Sequence, residues 1–204
     1  MRNVSWMFLG AVLLFVPGNA RADEELRNDG FESGETVQFQ QGFVVGEIGA
    51  SRLTATISCP CSLQHVDLLF GGVAATQPVT LHIWQDDGTS NAPGAPIFSA
   101  DYSLVGSNTQ MQQFDLSGDG IVVPQSFRVG LEVQHSGLPS IAADTDSTIT
   151  EERNFILADG IGWVRSSFFF LAGDWIIRAT VGSLAFFADG FESGTTGAWS
   201  LAVP

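Results

Sequence analysis

Apolar and polar residues alternate in short runs through the middle of the chain. In Val79-Thr80-Leu81-His82-Ile83-Trp84, the residues Val79, Leu81 and Ile83 fall on one face, with Thr80, His82 and Trp84 on the other. In Phe127-Arg128-Val129-Gly130-Leu131-Glu132-Val133 the apolar set is again every second residue. Similar patterns mark residues 52–58, 64–70, 96–104, 111–116, 154–157 and 175–181. A period of two predicts strands, and beyond residue 22 no stretch sustains the 3.6-residue stripe of a helix. Turn signals separate the runs: Gly71-Gly72, Asp86-Asp87-Gly88, Ala92-Pro93-Gly94, Gly118-Asp119-Gly120, Gly137-Leu138-Pro139, Asp159-Gly160 and Gly173-Asp174. Strands at this spacing predict an all-β fold, an antiparallel β-sandwich of jelly-roll type.

The first 22 residues break this pattern. Arg2, the apolar run from Trp6 to Val16, and Ala20-Arg21-Ala22 read as an export signal cleaved after Ala22. The apolar run is too short to span a bilayer, which needs about 20 apolar residues. A secreted, cell-surface or periplasmic protein with no membrane span is expected. Residues 23–35 read as an acidic lead-in, residues 36–182 as one sandwich domain, and residues 183–204 as a C-terminal tail. The hexapeptide Asp-Gly-Phe-Glu-Ser-Gly occurs twice, at 29–34 and at 189–194. The residues beyond the two copies differ, so the duplication is of an edge element or tag rather than of a domain.

Charge narrows the partners. The chain has 22 Asp and Glu against 8 Lys and Arg, all of the latter Arg. Removing Arg2 and Arg21 leaves 6 against 22, a net charge of −16 for the processed chain. Binding a nucleic-acid backbone needs clustered cations, so nucleic acid is excluded as a partner, while divalent cations and neutral ligands suit this charge. Without lysine there is no Schiff-base chemistry.

The stretch Gly173-Asp174-Trp175-Ile176-Ile177-Arg178-Ala179, together with Val66-Asp67-Leu68-Leu69-Phe70, the 79–84 run and Phe127 to Glu132, resembles non-catalytic, carbohydrate-binding-module-like jelly-roll accessory domains of secreted bacterial proteins. The resemblance spans most of residues 50–182. The second hexapeptide, continued as Thr195-Thr196-Gly197-Ala198-Trp199-Ser200, resembles the first strand of certain carbohydrate-binding jelly rolls, whose early Glu helps hold a structural calcium. It also resembles a short C-terminal ending found on exported bacterial proteins. Both resemblances imply export and binding, and neither implies catalysis.

Single stretches supply the candidate chemistry. Trp84 shares the polar face of its strand with Thr80 and His82, and Asp101 and Tyr102 stand together on another strand. An exposed Trp can stack on the apolar face of a sugar while such neighbours bond its hydroxyls; the alternative is a Trp84 packed under a loop. Trp163 and Trp175 are expected in the core. For a structural calcium the candidates are Glu32, Asp86, Asp87, Asp115, Asp119, Asp144 and Asp146. The run from Asp115 to Gly120 starts like a calcium loop, but Ser126 stands where a bidentate Glu belongs. Cys59 and Cys61 are expected to close a turn as a disulfide, with a redox pair or a thiolate metal site that adds His65 as the alternatives. The run Phe168-Phe169-Phe170 is expected as a strand buried on both faces, the alternative being a sticky patch for a partner or another copy of the chain, and Arg178 as one half of an ion pair. No zincin or nucleophile-elbow motif is present. A Ser-His-Asp set assembled at a distance stays open, as do paired carboxylates among Glu132, Asp144, Glu151 and Glu152. The expected function is an exported, non-catalytic binding or adhesion module with a glycan as the leading ligand class. A surface assembly protein recognised through its tail comes second, and a glycan hydrolase third.

Overall fold

The computed structural model describes residues 23–146 and 153–184. The export signal, the second hexapeptide, Glu151 and Glu152 lie outside the described residues. The strands are β1 (Asp23–Leu26), β2 (Val37–Phe39), β3 (Ile48–Thr54), β4 (Cys61–Leu68), β5 (Phe70–Gly71), β6 (Thr76–Gln85) and β7 (Pro96–Val105). They continue with β8 (Gln112–Asp115), β9 (Val122–Val123), β10 (Ser126–Val133), β11 (Ser140–Asp144), β12 (Asn154–Ala158), β13 (Gly162–Arg165) and β14 (Ile177–Ser183). One five-stranded sheet runs β1-β14-β4-β8 with β9 also on β4, and a six-stranded sheet runs β13-β12-β3-β10-β6-β7. A small sheet, β2-β11-β5, closes one flank.

The pairings nest. The hairpin β6·β7 lies inside β4·β8, which lies inside β3·β10, which lies inside β1·β14, all antiparallel. Alternate members of this series fall in opposite sheets, so the chain is one long folded ribbon rolled into a sandwich, the jelly-roll plan. The β12–β13 hairpin is an addition that widens the six-stranded sheet beyond β3.

Alternation decides which face each strand buries. Val79, Leu81 and Ile83 of β6 and Phe127, Val129, Leu131 and Val133 of β10 are fully inaccessible. They meet Leu63, Val66 and Leu68 of β4 and Ile177, Ala179 and Val181 of β14 in one core. Each such side chain contributes about 1.5–3 kcal/mol by leaving water. On β4 the alternation skips a residue: Thr180 faces His65 but Val181 faces Leu63, so Gln64 is the extra residue of a bulge. The skip lets both Leu63 and Val66 point inward.

Three expectations are corrected by this architecture. Residues 23–35 are part of the domain rather than a lead-in: β1 forms the edge of a sheet against β14, and Leu26 and Phe31 are buried. Glu24 fixes the strand by accepting hydrogen bonds from the backbone N–H of Thr56 (2.9 Å) and Ile57 (3.1 Å). The Phe run is not a strand. Ser166–Phe169 form a 3-10 turn ending in a left-handed Phe170 (φ 57°), and Phe170 is 95% exposed, with Phe168 and Phe169 exposed too. Trp163 lies on the outer face of the six-stranded sheet, only partly covered, while Trp175 is in the core. Cys59 and Cys61 are joined by a disulfide with their Cα atoms 4.5 Å apart, in the turn leading into β4.

Candidate functional site

The outer face of the six-stranded sheet collects the polar half of each alternating strand. On β6 this half is Thr80, His82 and Trp84. Strand pairing sets Glu132, Gly130 and Arg128 of β10 beside them in that order, and Asp101 and Ser99 of β7 beside Thr80 and His82 on the other side.

Gly130 shapes this surface. A Cβ there would come within 2.9 Å of Cζ3 of Trp84 and 2.9 Å of Cγ2 of Ile48, so the glycine leaves the space across which the Trp84 ring leans. The ring stacks on the His82 imidazole with centroids 4.9 Å apart and planes 18° from parallel, and it meets Trp163 edge to face at 5.7 Å. Both geometries are the preferred ones for aromatic pairs. Trp84 and Trp163 remain partly exposed, so the face carries an open aromatic strip.

A continuous row of hydrogen bonds runs alongside. The Thr80 hydroxyl donates to Asp101 Oδ1 (2.7 Å). The Gln134 amide donates to Thr80 Oγ1 (3.1 Å) and to Glu132 Oε1 (2.7 Å). Glu132 Oε2 lies 2.8 Å from His82 Nε2, and Ser99 Oγ lies 3.1 Å from His82 Nδ1. One tautomer satisfies both neighbours: Nε2–H donates to the carboxylate, and Nδ1 accepts from the serine. The row thus fixes the orientation of six polar side chains, with Asp101 and Ser99 exposed at its ends and Gln134 exposed between them.

Below the strip lies a buried cation. Arg128 is wholly inaccessible, yet sits on the outward side of β10. Its Nε donates to Asp86 Oδ2 (2.7 Å), its Nη1 donates to the Asn91 carbonyl (2.6 Å), and its guanidinium lies 3.6 Å over the Phe155 ring. Nη2 approaches Asp86 to 2.5 Å without the alignment of a hydrogen bond, so that contact is ionic only. The 86–95 loop and the β12–β13 hairpin therefore cover what would otherwise be an open end of the face. Burial pulls the Arg128 pKa below its ordinary value, against the opposing charge of Asp86.

Of the residues singled out in the sequence, Thr80, His82, Trp84 and Asp101 share this face. Tyr102 does not. Adjacent strand residues point opposite ways, so Tyr102 turns to the core side and packs edge-on against Phe114 at 4.7 Å, where burial raises its pKa. Gly130, Glu132, Gln134, Ser99 and Trp163 complete the face. The period of β10 puts Gly130 and Glu132 on the polar side, but only strand pairing shows which residues stand next to them.

The seven calcium candidates do not gather at one point, although Asp144 and Asp146 both flank Gly30. Asp86 is a correction: it is buried, ion-paired with Arg128 and 3.7 Å from Arg52, and it accepts from the Gly88 N–H, so its oxygens are already used. Asp87 and Asp115 are exposed and close their own turns through Thr89 and Ser117, bonds that lower both pKa values. Asp119 and Asp146 are exposed, and Glu32 pairs with Arg27 at 3.2 Å. Asp144 is buried and accepts from the Gly30 and Asp174 N–H groups, both at 2.8 Å. Among the described residues, no group of three or more His, Cys, Asp or Glu could hold a metal ion. Among the described residues the candidate carboxylates thus do not converge as calcium ligands do. His65 faces Asp67 at 3.5 Å, and the cysteine sulfurs are bonded to each other, which removes the thiolate reading.

Among the described residues no helix is long and apolar enough to cross a membrane. No protein-family model matches the chain, and no curated protein matches it. Among solved structures, the chain is similar to the cysteine protease and lectin-like domains of Cwp84, a surface layer associated protein of Clostridium difficile. That similarity has 10% identity and a TM-score of 0.48, over 67% of this chain and 32% of the other. The chain therefore spans about a third of that structure's length.

Proposed function

We propose that the protein is an exported, non-catalytic binding module that takes a neutral glycan on the outer face of its six-stranded sheet. The observation that carries the reading is the partly exposed Trp84, leaning over Gly130 beside the hydrogen-bonded row from Asp101 to Ser99. A pyranose has one face of C–H groups and a rim of hydroxyls. An aromatic strip suits the first, and carboxylate, amide and hydroxyl groups at fixed spacing suit the second. The net charge of −14 for the whole chain favours an uncharged ligand over an acidic one.

Ser99, His82 and Glu132 also form a hydroxyl–imidazole–carboxylate line, which is the arrangement a hydrolase would use. Support for binding comes from the aromatic strip of Trp84 and Trp163 that lies beside this line and suits a sugar ring.

The test is glycan-array screening of the secreted chain, followed by titration of the best oligosaccharide. Trp84→Ala should weaken binding at least tenfold while leaving the melting temperature within a few degrees. Equal binding by the variant would remove the ligand from this face. Turnover of a glycan that disappears in Glu132→Gln would replace binding with catalysis.

A further inference from the structure

The first Asp-Gly-Phe-Glu-Ser-Gly is a plug, and every part of Asp29-Gly30-Phe31 meets a matching receptor group. Asp29 is buried and paired with Arg178, whose Nη2 lies 2.6 Å from Oδ1. The same Nη2 donates to the Phe31 carbonyl at 2.5 Å. The Gly30 N–H donates to Asp144 Oδ2 at 2.8 Å, and a Cβ on residue 30 would crowd the Asp146 carboxylate, which would have to swing aside. The Phe31 ring, 4% exposed, fills a small separate core with Leu69, Ala142 and Ile176. Glu32 pairs outside with Arg27, and Gly34 at φ +98° turns the chain away. Charge and ring are thus both read by the socket, and residues 189–194 carry the same six residues.

We propose that the second hexapeptide of one chain docks in this socket on a second copy of the chain, linking copies head to tail once the first hexapeptide has vacated it. Chain length selects the second copy over the same molecule. Phe31 is eight residues beyond Asp23, which pairs with Gly182 at the end of β14. Phe191 is eight residues beyond Ser183, where β14 ends. A chain leaving β14 must first reverse to run antiparallel beside it, which uses about two residues. A two-residue turn after Ser183 would set residue 187 opposite Gly182, the place of Asp23, so within one molecule Phe191 would stop about four residues short of the place of Phe31, roughly 13 Å. A second copy imposes no such limit. The contact joins unlike surfaces, tail to socket, so it propagates as an open string rather than closing as a twofold dimer.

Competition sets when this happens. The resident plug is tethered at an effective concentration on the order of millimolar, while the incoming hexapeptide makes the same contacts. In dilute solution the resident wins, and exchange belongs to chains crowded on a surface.

The experiment frees the socket in the full-length chain. Phe31→Ala should associate, with a light-scattering mass that rises with concentration to at least twice the wild-type value. Phe31→Ala/Phe191→Ala should remain at the monomer mass. A single variant that stays monomeric, or a double variant that associates as much as the single, overturns the proposal. Should Phe31→Ala be unfolded, a synthetic peptide of residues 186–197 is titrated into it. Recovery of the β-sheet circular dichroism by that peptide, and not by the same peptide carrying Phe191→Ala, supports docking; no recovery by the unmodified peptide overturns it.

Discussion

Removing the charge of Asp86 tests how the proposed binding face is supported. Arg128 is the largest charged group with no access to water, and Asp86 is its only carboxylate partner among the described residues. In Asp86→Asn the shape of the pair survives, but Arg128 keeps a full charge, because arginine does not deprotonate in proteins. Arg52, 3.7 Å from Asp86 in the native protein, then adds repulsion instead of sharing the anion. Leaving one member of a buried pair uncompensated costs about 3–5 kcal/mol. For a domain of this size that corresponds to about 6–20 °C in melting temperature. The reverse removal is milder. In Arg128→Met the aliphatic chain still covers Phe155, and Asp86 retains Arg52 and the Gly88 N–H, so the expected cost is about 1–3 kcal/mol. Urea denaturation with linear extrapolation measures both. An Asp86→Asn protein that loses less stability than Arg128→Met, or less than about 1 kcal/mol, would refute the assignment of Arg128 as an obligately paired buried cation.

Other outcomes rest on single contacts. Gly130→Ala places a methyl 2.9 Å from the Trp84 ring; it should displace the ring and lower glycan affinity more than tenfold, read by titration calorimetry, with the β-sheet circular dichroism unchanged. Asp144 titrates against the usual trend: burial first, then the charges of Asp146 and Asp29, holds its pKa above the ordinary value despite the N–H groups of Asp174 and Gly30. A raised carboxylate pKa penalises the folded state above that pKa and relieves the penalty as pH falls through it. Wild type should therefore gain stability relative to Asp144→Asn on acidification from neutrality, as measured by denaturation at a series of pH values; a constant difference would contradict the burial argument. Chelation with EDTA should leave the melting curve in place, since the acidic turns do not converge. A fall reversed by added calcium would instead show a bound structural cation.

Much of the fold was legible because a strand with one buried face must alternate. That rule located the eight main runs and assigned Thr80, His82 and Trp84 to the polar side of β6. It failed where the physical premise failed. All five residues of β11 are buried, so it has no alternation to read. The acidic β1 looked like solvated chain because the receptor groups for Leu26, Asp29 and Phe31 lie more than 100 residues away, on β11 and on and just before β14. The three phenylalanines of 168–170 were expected to be covered on both sides, and a 3-10 turn exposed them instead.

The candidate site divides in the same way. Period alone determined which residues of one strand share a face, because successive Cβ atoms point to opposite sides of the pleat. It equally forbade Tyr102 from joining its neighbour Asp101. Pairing between strands decided everything lateral: that Gly130 opens space for Trp84, that Glu132 meets His82, and that Trp163 arrives from the added hairpin. Register is a long-range property, set by the whole core at once, and no local stretch of residues encodes it. The repeated hexapeptide belongs to both levels. Its duplication is a fact of sequence, while its role as a plug exists only because the folded chain brings Arg178, Asp144 and Ile176 together to receive it.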